Sequence, residues 1–478
     1  IRDPDGDWSS DVCSSIYLMN LKKVNQQQAE IQVTKDLRSQ GITDLHYKDW
    51  FVINNTKVKA ITGDTEHYSY EGWSGYDSMP VIQALNGSEY NVKSWANEII
   101  DGKDANSKLW LKNGSDGWRL DVANEVSDET WRNFRTAVKG QGDDVIVGEI
   151  WTDASKYLLG DMYDSVMNYR FRDAVLGYVE NKDTENMSAV QSMNQLEAMR
   201  EQYPKEAFEA MMNLVDSHDT QRIISDFDGA QKSVKAIAEA PSLAALQKVR
   251  LIPLIQMTYP GAPTIYYGDE AAMPGADDPD NRRGMIWGKG DKSTVEWYAK
   301  LTNIRNAYPV LRTGDIVPIT VDDTNKADIM AYSRNDKNNH AVVAINRKST
   351  DVKALVLDSN APAGTKLTNA LDPSATYVVG SDGKVTVNIA KYSGVILVAR
   401  YTCVVVNTKN LKDIYDTNYI VKPLVNISVV TNAVIKAEGS KNQIDVNAAM
   451  LLVKNLPKCD VKNSLIERLN KVKRCIRR

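Results

Sequence analysis

The sequence of 478 residues is poor in cysteine and histidine, with four of each. The cysteines, Cys13, Cys403, Cys459 and Cys475, are scattered without metal-ligand spacing, which argues against a zinc site and against a cysteine-based active site. No apolar run approaches the roughly 18 residues that a membrane-spanning helix needs, so we expect no membrane span. Mean hydropathy is −0.40 and 25% of the residues are charged, which is ordinary for a globular protein.

The net charge of −4 is distributed unevenly along the chain. Residues 401–478 hold 14 Lys and Arg against 6 Asp and Glu, a net charge of +8, which leaves −12 for the first 400 residues. A basic tail can face nucleic acid or an anionic cell surface, but a solvated helical face is the commoner meaning of such a segment. We therefore expect a separate C-terminal module and no nucleic-acid partner.

We expect residues 1–24 to be irregular, since residues 1 to about 15 show no hydrophobic periodicity and Ser9 to Ser15 resemble a translated sequencing-adapter remnant. They also lack the basic start and apolar stretch of a signal peptide, so we expect any such peptide to be absent or already removed. The sequence predicts an irregular segment here.

From residue 25 to about 309, helical patterns alternate with short apolar runs. Alternation of this kind predicts a parallel sheet covered by helices, and a (β/α)8 barrel collects its functional residues at the carboxyl ends of such strands. The predicted helices are 26–40 with a stop at Gly41, 92–113, 128–139 and 243–258, and the predicted strands are 42–47, 117–121, 145–149, 211–216 and 263–267.

Two different patterns follow this α/β region. Residues 310–401 contain short alternating runs, such as 341–345 and 394–398, with Asp/Gly turns between them, which predicts a small all-β domain. In residues 402–478 the apolar spacing becomes helical, and Pro457 interrupts it. We expect this basic tail to be a helical hairpin or a three-helix bundle.

Carboxylates stand at the ends of the predicted strands. Asp121 and Glu149 each follow an apolar strand, and glycoside hydrolysis with retention uses two carboxylates about 5 to 5.5 Å apart. Arg119 lies two residues before Asp121 and so projects to the same face, where its charge would keep that carboxylate ionised. His218 and Asp219 could clamp adjacent sugar hydroxyls. Taken singly, each of these patterns is more often a structural ion pair, a strand end or a cap.

Three segments resemble, in the right order, signature regions of the α-amylase family. They are Asp116 to Glu125, Val147 to Ala154 and Asn213 to Arg222. Glu71 to Pro80 resembles an extra signature of the neopullulanase and cyclomaltodextrinase branch, and Val122-Ala123-Asn124-Glu125 points to the same branch. The resemblance covers residues 48 to 400.

The resemblance implies roles for individual residues. Asp121 would be the nucleophile, Glu149 the general acid/base and Asp219 the carboxylate that stabilises the transition state. Trp151 could stack on a sugar ring, at even odds with an ordinary packing role. The expected substrate-binding residues are Arg119, His218, Trp151, Asn124 and Glu125.

The resemblance also implies the fold class and the activity. We expect an α/β protein with a partial (β/α)8 barrel over 25–309, a C-terminal antiparallel β-sandwich over 310–401 and a small helical tail over 402–478. The expected activity is retaining hydrolysis of α-1,4 glucosidic bonds, with α-1,6 bonds left open, in cyclodextrins, pullulan, starch or maltodextrins. A transglycosylase and a catalytically inactive glucan-binding remnant are the alternatives.

Further expectations concern cofactors, partners and location. No cofactor is required by this chemistry, and a structural Ca²⁺ is left open. The partner would be an α-glucan, and the likeness suggests a homodimer. The tail resembles helical surface modules of secreted Gram-positive enzymes, which favours an extracellular or wall-associated location over the cytoplasm.

One family signature is missing. An Asp followed by an Asn-His pair should precede Trp73, and neither His46 nor His67 follows an Asn. The stretch before Asp121 is also too short for the early barrel strands. We therefore expect an N-terminally incomplete barrel with exposed sheet edges.

Overall fold

The computed structural model describes residues 10–41, 49–59, 65–76, 79–179, 185–228, 241–337, 339–399, 427–454 and 465–472. The predicted strand at 42–47, which includes His46, lies outside these residues. The chain divides into two compact units, Ile1–Met167 and Asn168–Arg478.

The first unit begins with two helices, α1 (Ser10–Lys22) and α2 (Gln26–Ser39). Asn25 caps α2 and forms a capping box with Gln28, so the predicted start of this helix is confirmed. The expectation that residues 1–24 are irregular is wrong for residues 10–22. Met19 of α1 is buried in a cluster with Ala29 of α2, and this tertiary packing stabilises a helix that has little periodicity of its own.

The remainder of the first unit holds short helices and parallel strands. Strands β3 (Gly117–Leu120), β4 (Val145–Gly148) and β5 (Ser165–Val166) pair in parallel in that order, and in the described part of the chain β3 has no strand on its other side. The elements are β1 (Val58–Lys59), β2 (Glu66–His67), α3 (Lys93–Ala96), α4 (Asn106–Lys112), β3 (Gly117–Leu120), α5 (Asp128–Lys139), β4 (Val145–Gly148) and β5 (Ser165–Val166).

Helix α5 has the predicted bounds, because its sequence contains both an N-cap residue and an apolar face. Ser127 caps it by accepting from the Thr130 amide, and Trp131, Phe134 and Val138 bury one face. The predicted helix 92–113 is instead broken between α3 and α4. Gly102 ends a π-helical turn, Asn97–Asp101, where a Cβ atom would lie 2.5 Å from the Asn97 carbonyl oxygen.

The second unit continues the alternation of helices and parallel strands. Strands β6 and β7 pair in parallel and are shorter than predicted. The predicted helix 243–258 is two helices that meet at Arg250, since Pro253 has no amide hydrogen for a bond to the preceding turn. The elements are α6 (Tyr169–Tyr178), α7 (Ala189–Gln202), α8 (Lys205–Ala210), β6 (Met212–Asn213), α9 (Ile223–Asp228), α10 (Leu243–Val249), α11 (Leu251–Thr258), β7 (Ala262–Pro263), α12 (Lys292–Ala307) and α13 (Val310–Thr313).

The predicted β-sandwich is present. One antiparallel sheet has the strand order β13-β12-β15-β10-β9-β8, β11 pairs with β14, and both sheets contribute to one buried apolar cluster. The strands are β8 (Asp315–Pro318), β9 (Ile329–Asn335), β10 (His340–Asn346), β11 (Val352–Asp358), β12 (Lys366–Asn369), β13 (Asp372–Val378), β14 (Lys384–Ile389) and β15 (Ser393–Ala399).

The described part of the tail is helical, as predicted. Helices α14 (Ile427–Ser440) and α15 (Gln443–Lys454) and the helical segment 465–472 bury apolar residues in one cluster. Arg468 joins Glu438 through two charge-assisted hydrogen bonds of 2.8 and 2.6 Å. Within the described ranges, no helix combines the length and apolar character that a bilayer crossing requires.

Candidate active site

In the first unit, one arginine contacts two of the predicted catalytic carboxylates. Arg119 Nη1 donates to Asp121 Oδ1, and Arg119 Nη2 lies 3.2 Å from Glu149 Oε2. Asp121 is 73% exposed along its side chain and Glu149 only 6%, so one carboxylate faces solvent and the other is enclosed. A fixed guanidinium between two carboxylates offsets their mutual repulsion.

The strand register produces this arrangement. Leu120 of β3 pairs with Gly148 of β4, so the residues that follow, Asp121 and Glu149, leave the sheet side by side. The Glu149 amide also donates to the Leu120 carbonyl at 2.8 Å. A side chain at position 148 would approach the Tyr163 ring to 2.9 Å, which explains why glycine stands directly before Glu149.

The carboxylate of Glu149 accepts hydrogen bonds on both oxygens. The Val122 amide donates to Oε2 at 3.0 Å, and Trp151 Nε1 donates to Oε1 at 3.2 Å. Val122 has a left-handed backbone, with φ 41°, which is rare for a β-branched residue and costs about 1–3 kcal/mol. That kink turns the amide after Asp121 towards Glu149, so the positions of the two carboxylates are linked.

The other predicted binding residues of the first unit lie at its surface. Asn124 and Glu125 are exposed, and Trp73 Nε1 donates to Glu125 Oε2. This contact joins the two segments that point to the neopullulanase branch. Trp151 is 44% exposed. Its Nε1 hydrogen bond to Glu149 orients one edge of the ring, and the rest of the side chain is partly accessible to solvent.

In the second unit, Asp219 lies between two cationic or ionisable side chains. His218 Nε2 is 3.0 Å from Asp219 Oδ2, and Arg282 Nη2 is 3.1 Å from Asp219 Oδ1. The Asp219 amide donates to the Ser217 hydroxyl at 3.1 Å, and that hydroxyl lies 3.0 Å from Tyr169 Oη. The Asp219 side chain is 31% exposed, so it can be reached from solvent.

Sequence reasoning missed Arg282 and its neighbour Asn281. Both belong to Gly275–Trp287, a charged segment that lies outside the signature regions named above. Their partners lie about 60 residues earlier, at His218 to Thr220. The excess of charged residues around Arg282 is the one sequence signal that could have drawn attention to it.

The second unit also contains two buried carboxyl groups, those of Asp216 and Asp269. Asp216 immediately precedes Ser217 and the turn that carries Asp219. Both Asp216 and Asp269 are only 2% exposed, and Arg222 Nη1 is 3.7 Å from Asp269 Oδ1. Burial raises the pKa of Asp269 well above its ordinary value, and the charge of Asp216 raises it further. The carboxylate of Asp216 accepts from the Ile223 amide at 2.8 Å.

Replacement of Asp269 by Asn should change how stability depends on pH. Since the pKa of Asp269 is raised in the folded state, its contribution is complete below the unfolded value of 3.8 and is lost as the pH rises towards the folded value. The variant keeps a side chain of the same size but cannot ionise. Urea denaturation from mildly acidic to mildly basic pH should show the wild-type free energy of unfolding falling relative to the variant by up to about 1.4 kcal/mol per pH unit. Parallel pH profiles for the two proteins would contradict a raised pKa at Asp269, and Asp323→Asn, at an exposed carboxylate, is the control.

Among the described residues, no group of three or more His, Cys, Asp or Glu side chains is arranged to hold a metal ion.

Glycoside hydrolysis uses a pair of carboxylates, and the ends of β3 and β4 bring Asp121 and Glu149 to one arginine. The model of the α-amylase catalytic domain matches residues 22–303, so the chain belongs to the α-amylase family. The predicted fold class is confirmed: the parallel strands are those of a partial (β/α)8 barrel, followed by the β-sandwich and the helical tail.

Similar proteins include an amylopullulanase and a neopullulanase. The chain is 40% identical to "Amylopullulanase" of Thermoanaerobacter thermohydrosulfuricus over 74% of its own length and 24% of the relative. It is 34% identical to "Neopullulanase 2" of Thermoactinomyces vulgaris over 73% of its own length and 54% of the relative. A solved cyclomaltodextrinase superposes with a TM-score of 0.60 at 30% identity, covering 77% of this chain and 57% of that one. The chain thus spans about a quarter of the first relative and about half of the second.

Proposed function

We propose that this chain is a retaining α-glucan hydrolase in which Asp121 is the nucleophile, Glu149 the general acid/base and Asp219 the transition-state-stabilising carboxylate. The observation that carries the proposal is the contact of Arg119 with both Asp121 and Glu149. This contact fixes the two carboxylates relative to each other. The Asp121 carboxylate is accessible to an incoming sugar, and the Glu149 carboxylate is enclosed.

The proposed reaction has two steps. First, Asp121 attacks the anomeric carbon, the bond to the glycosidic oxygen breaks, and Glu149 transfers its proton to that leaving oxygen. Next, Glu149 takes a proton from water, the water oxygen attacks the same carbon, and Asp121 leaves. Two inversions give net retention. Val122 and Trp151 orient the two oxygens of Glu149 through this exchange.

The proposed substrates are cyclodextrins, pullulan, starch and maltodextrins, with α-1,4 bonds and also α-1,6 bonds as targets. This choice is supported by the names of the relatives, amylopullulanase, neopullulanase and cyclomaltodextrinase. It is also supported by the bond between Trp73 and Glu125, which brings the two branch-specific segments together.

The test is release of reducing ends from β-cyclodextrin, pullulan and soluble starch by the purified chain and by Glu149→Gln. The variant should be slower by about 10³-fold, because it lacks the acid that protonates the leaving oxygen. Glu201→Gln, at a carboxylate that is 72% exposed on its side chain, should retain full activity.

The outcomes separate the alternatives. Products longer than the substrate would identify a transglycosylase, in which a sugar attacks in place of water. A folded wild-type chain that binds maltoheptaose without turnover would contradict the proposed hydrolase and identify an inactive glucan-binding protein.

A further inference from the structure

The two peptide carbonyls on either side of Asp219 accept hydrogen bonds from one buried amide. Asn281 has no exposed surface, and its Nδ2 donates to His218 O at 2.7 Å and to Thr220 O at 2.9 Å. Since an amide nitrogen has two protons, both are used in these bonds. The turn that presents Asp219 is therefore held at both of its neighbours by one side chain.

Asn281 is itself held by a buried arginine. Its backbone carbonyl accepts from Arg222 Nε at 2.8 Å and from the Tyr266 hydroxyl at 3.4 Å. The Arg222 guanidinium lies 4.4 and 4.6 Å from the ring centroids of Tyr266 and Tyr267, and its Nη1 donates to Tyr267 O at 2.6 Å. These contacts anchor the backbone from which Asn281 reaches the Asp219 turn.

The residue after Asn281 contacts the Asp219 carboxylate directly. Arg282 Nη2 is 3.1 Å from Asp219 Oδ1, while His218 Nε2 holds the other oxygen at 3.0 Å. The carboxylate thus has one neighbour from its own turn and one from the segment that carries Asn281. A shift of Asn281 would therefore move both the turn and its cationic partner.

We infer that Asn281 is a positioning residue for Asp219: its amide holds the turn 218–220 so that the Asp219 carboxylate keeps a single orientation between His218 and Arg282. The inference rests on the proposed function, in which Asp219 stabilises the transition state. Electrostatic stabilisation depends on groups that are in place before the charge develops, and a misplacement of about 1 Å can cost about 10²-fold in rate.

The test variant is Asn281→Leu, which removes both donors and leaves a side chain of similar size. We expect kcat on β-cyclodextrin to fall by about 10- to 100-fold with little change in KM, because the lost effect acts in the transition state. A mere loss of stability would lower the melting temperature and leave kcat unchanged below it.

Asn346 offers a matched control in the β-sandwich. It is also without exposed surface, and its Nδ2 also donates to two carbonyls, Thr350 O and Ala390 O, each at 3.0 Å. Asn346→Leu should lower the melting temperature to a similar degree and leave kcat unchanged. An equal loss of kcat in both variants would overturn the inference.

A readout without catalysis separates this inference from the proposed function. The chain has four histidines, so after ¹³C labelling of histidine the His218 ring signal can be assigned with a His218→Gln variant. Asn281→Leu should shift the His218 signal and leave that of His340, in β10, in place. If the wild type releases no sugar but the His218 signal shifts, the proposed function fails and the positioning role stands. An unchanged kcat together with an unchanged His218 signal would refute the positioning role.

Discussion

Asp121→Asn is expected to reduce glucan hydrolysis by about 10⁴-fold or more while leaving the chain folded and able to bind glucan. An amide cannot form the glycosyl ester, so the two-step path through a covalent intermediate is closed. The Asp121 side chain is 73% exposed, and its replacement should change the free energy of unfolding by no more than about 0.5 kcal/mol.

The measurement combines reducing-end release with binding of maltoheptaose by titration calorimetry. Asp116→Asn is the matched control, since Asp116 is an exposed carboxylate just before β3, at the opposite end of the strand that Asp121 follows. The control should keep wild-type rates. Unchanged hydrolysis by Asp121→Asn would remove Asp121 from the mechanism, whereas loss of both binding and folding would assign it a structural role.

Arg334→Met is expected to lower the free energy of unfolding by about 3–5 kcal/mol. Arg334, on β9, is without exposed surface and donates to carbonyls of Thr258, Leu311 and Gly314. Burial lowers the pKa of Arg334 to about 10, which still leaves it charged at neutral pH. Methionine would fill part of the space and leave buried carbonyls without their donors.

Urea denaturation of wild type and variant measures this effect. Arg312→Met is the control, because the Arg312 side chain donates an exposed hydrogen bond of 3.0 Å to Asn306 O, and its loss should cost about 0.5 kcal/mol or less. Equal stability of Arg334→Met and wild type would mean that Arg334 does not join β9 to the end of α11.

Several elements could be predicted from sequence because their signals are local. Helix α5 combines the Ser127 cap, acidic residues in its first turn and an apolar face of Trp131, Phe134 and Val138. Strands β10 and β15 are continuous apolar runs bounded by turns, and they lie in the middle of the larger sheet, as such runs predict.

Other elements depend on contacts that sequence does not display. Helix α1 was missed because its stability comes from packing on α2 and from the Asn20 side chain, which bonds both to the Tyr68 carbonyl at 2.9 Å and to its amide at 2.7 Å. The apolar periodicity continues across the break between α10 and α11, so the pattern predicts one helix. Pro253, which cannot donate a backbone hydrogen bond, is the residue in the sequence that indicates the break.

For the candidate site, the family could be recognised from the sequence and three carboxylates could be nominated, because both depend on short ordered segments whose spacing is visible. The catalytic roles remain predictions that the Asp121 and Glu149 variants test. The contacts that hold these carboxylates are seen only in the folded chain. The register of β3 and β4 places Arg119 between Asp121 and Glu149, and long-range contacts bring Asn281 and Arg282 to the Asp219 turn. The physical reason is that a carboxylate's chemistry resides in its own side chain, whereas its position depends on partners from distant parts of the chain, which become neighbours only when the chain folds.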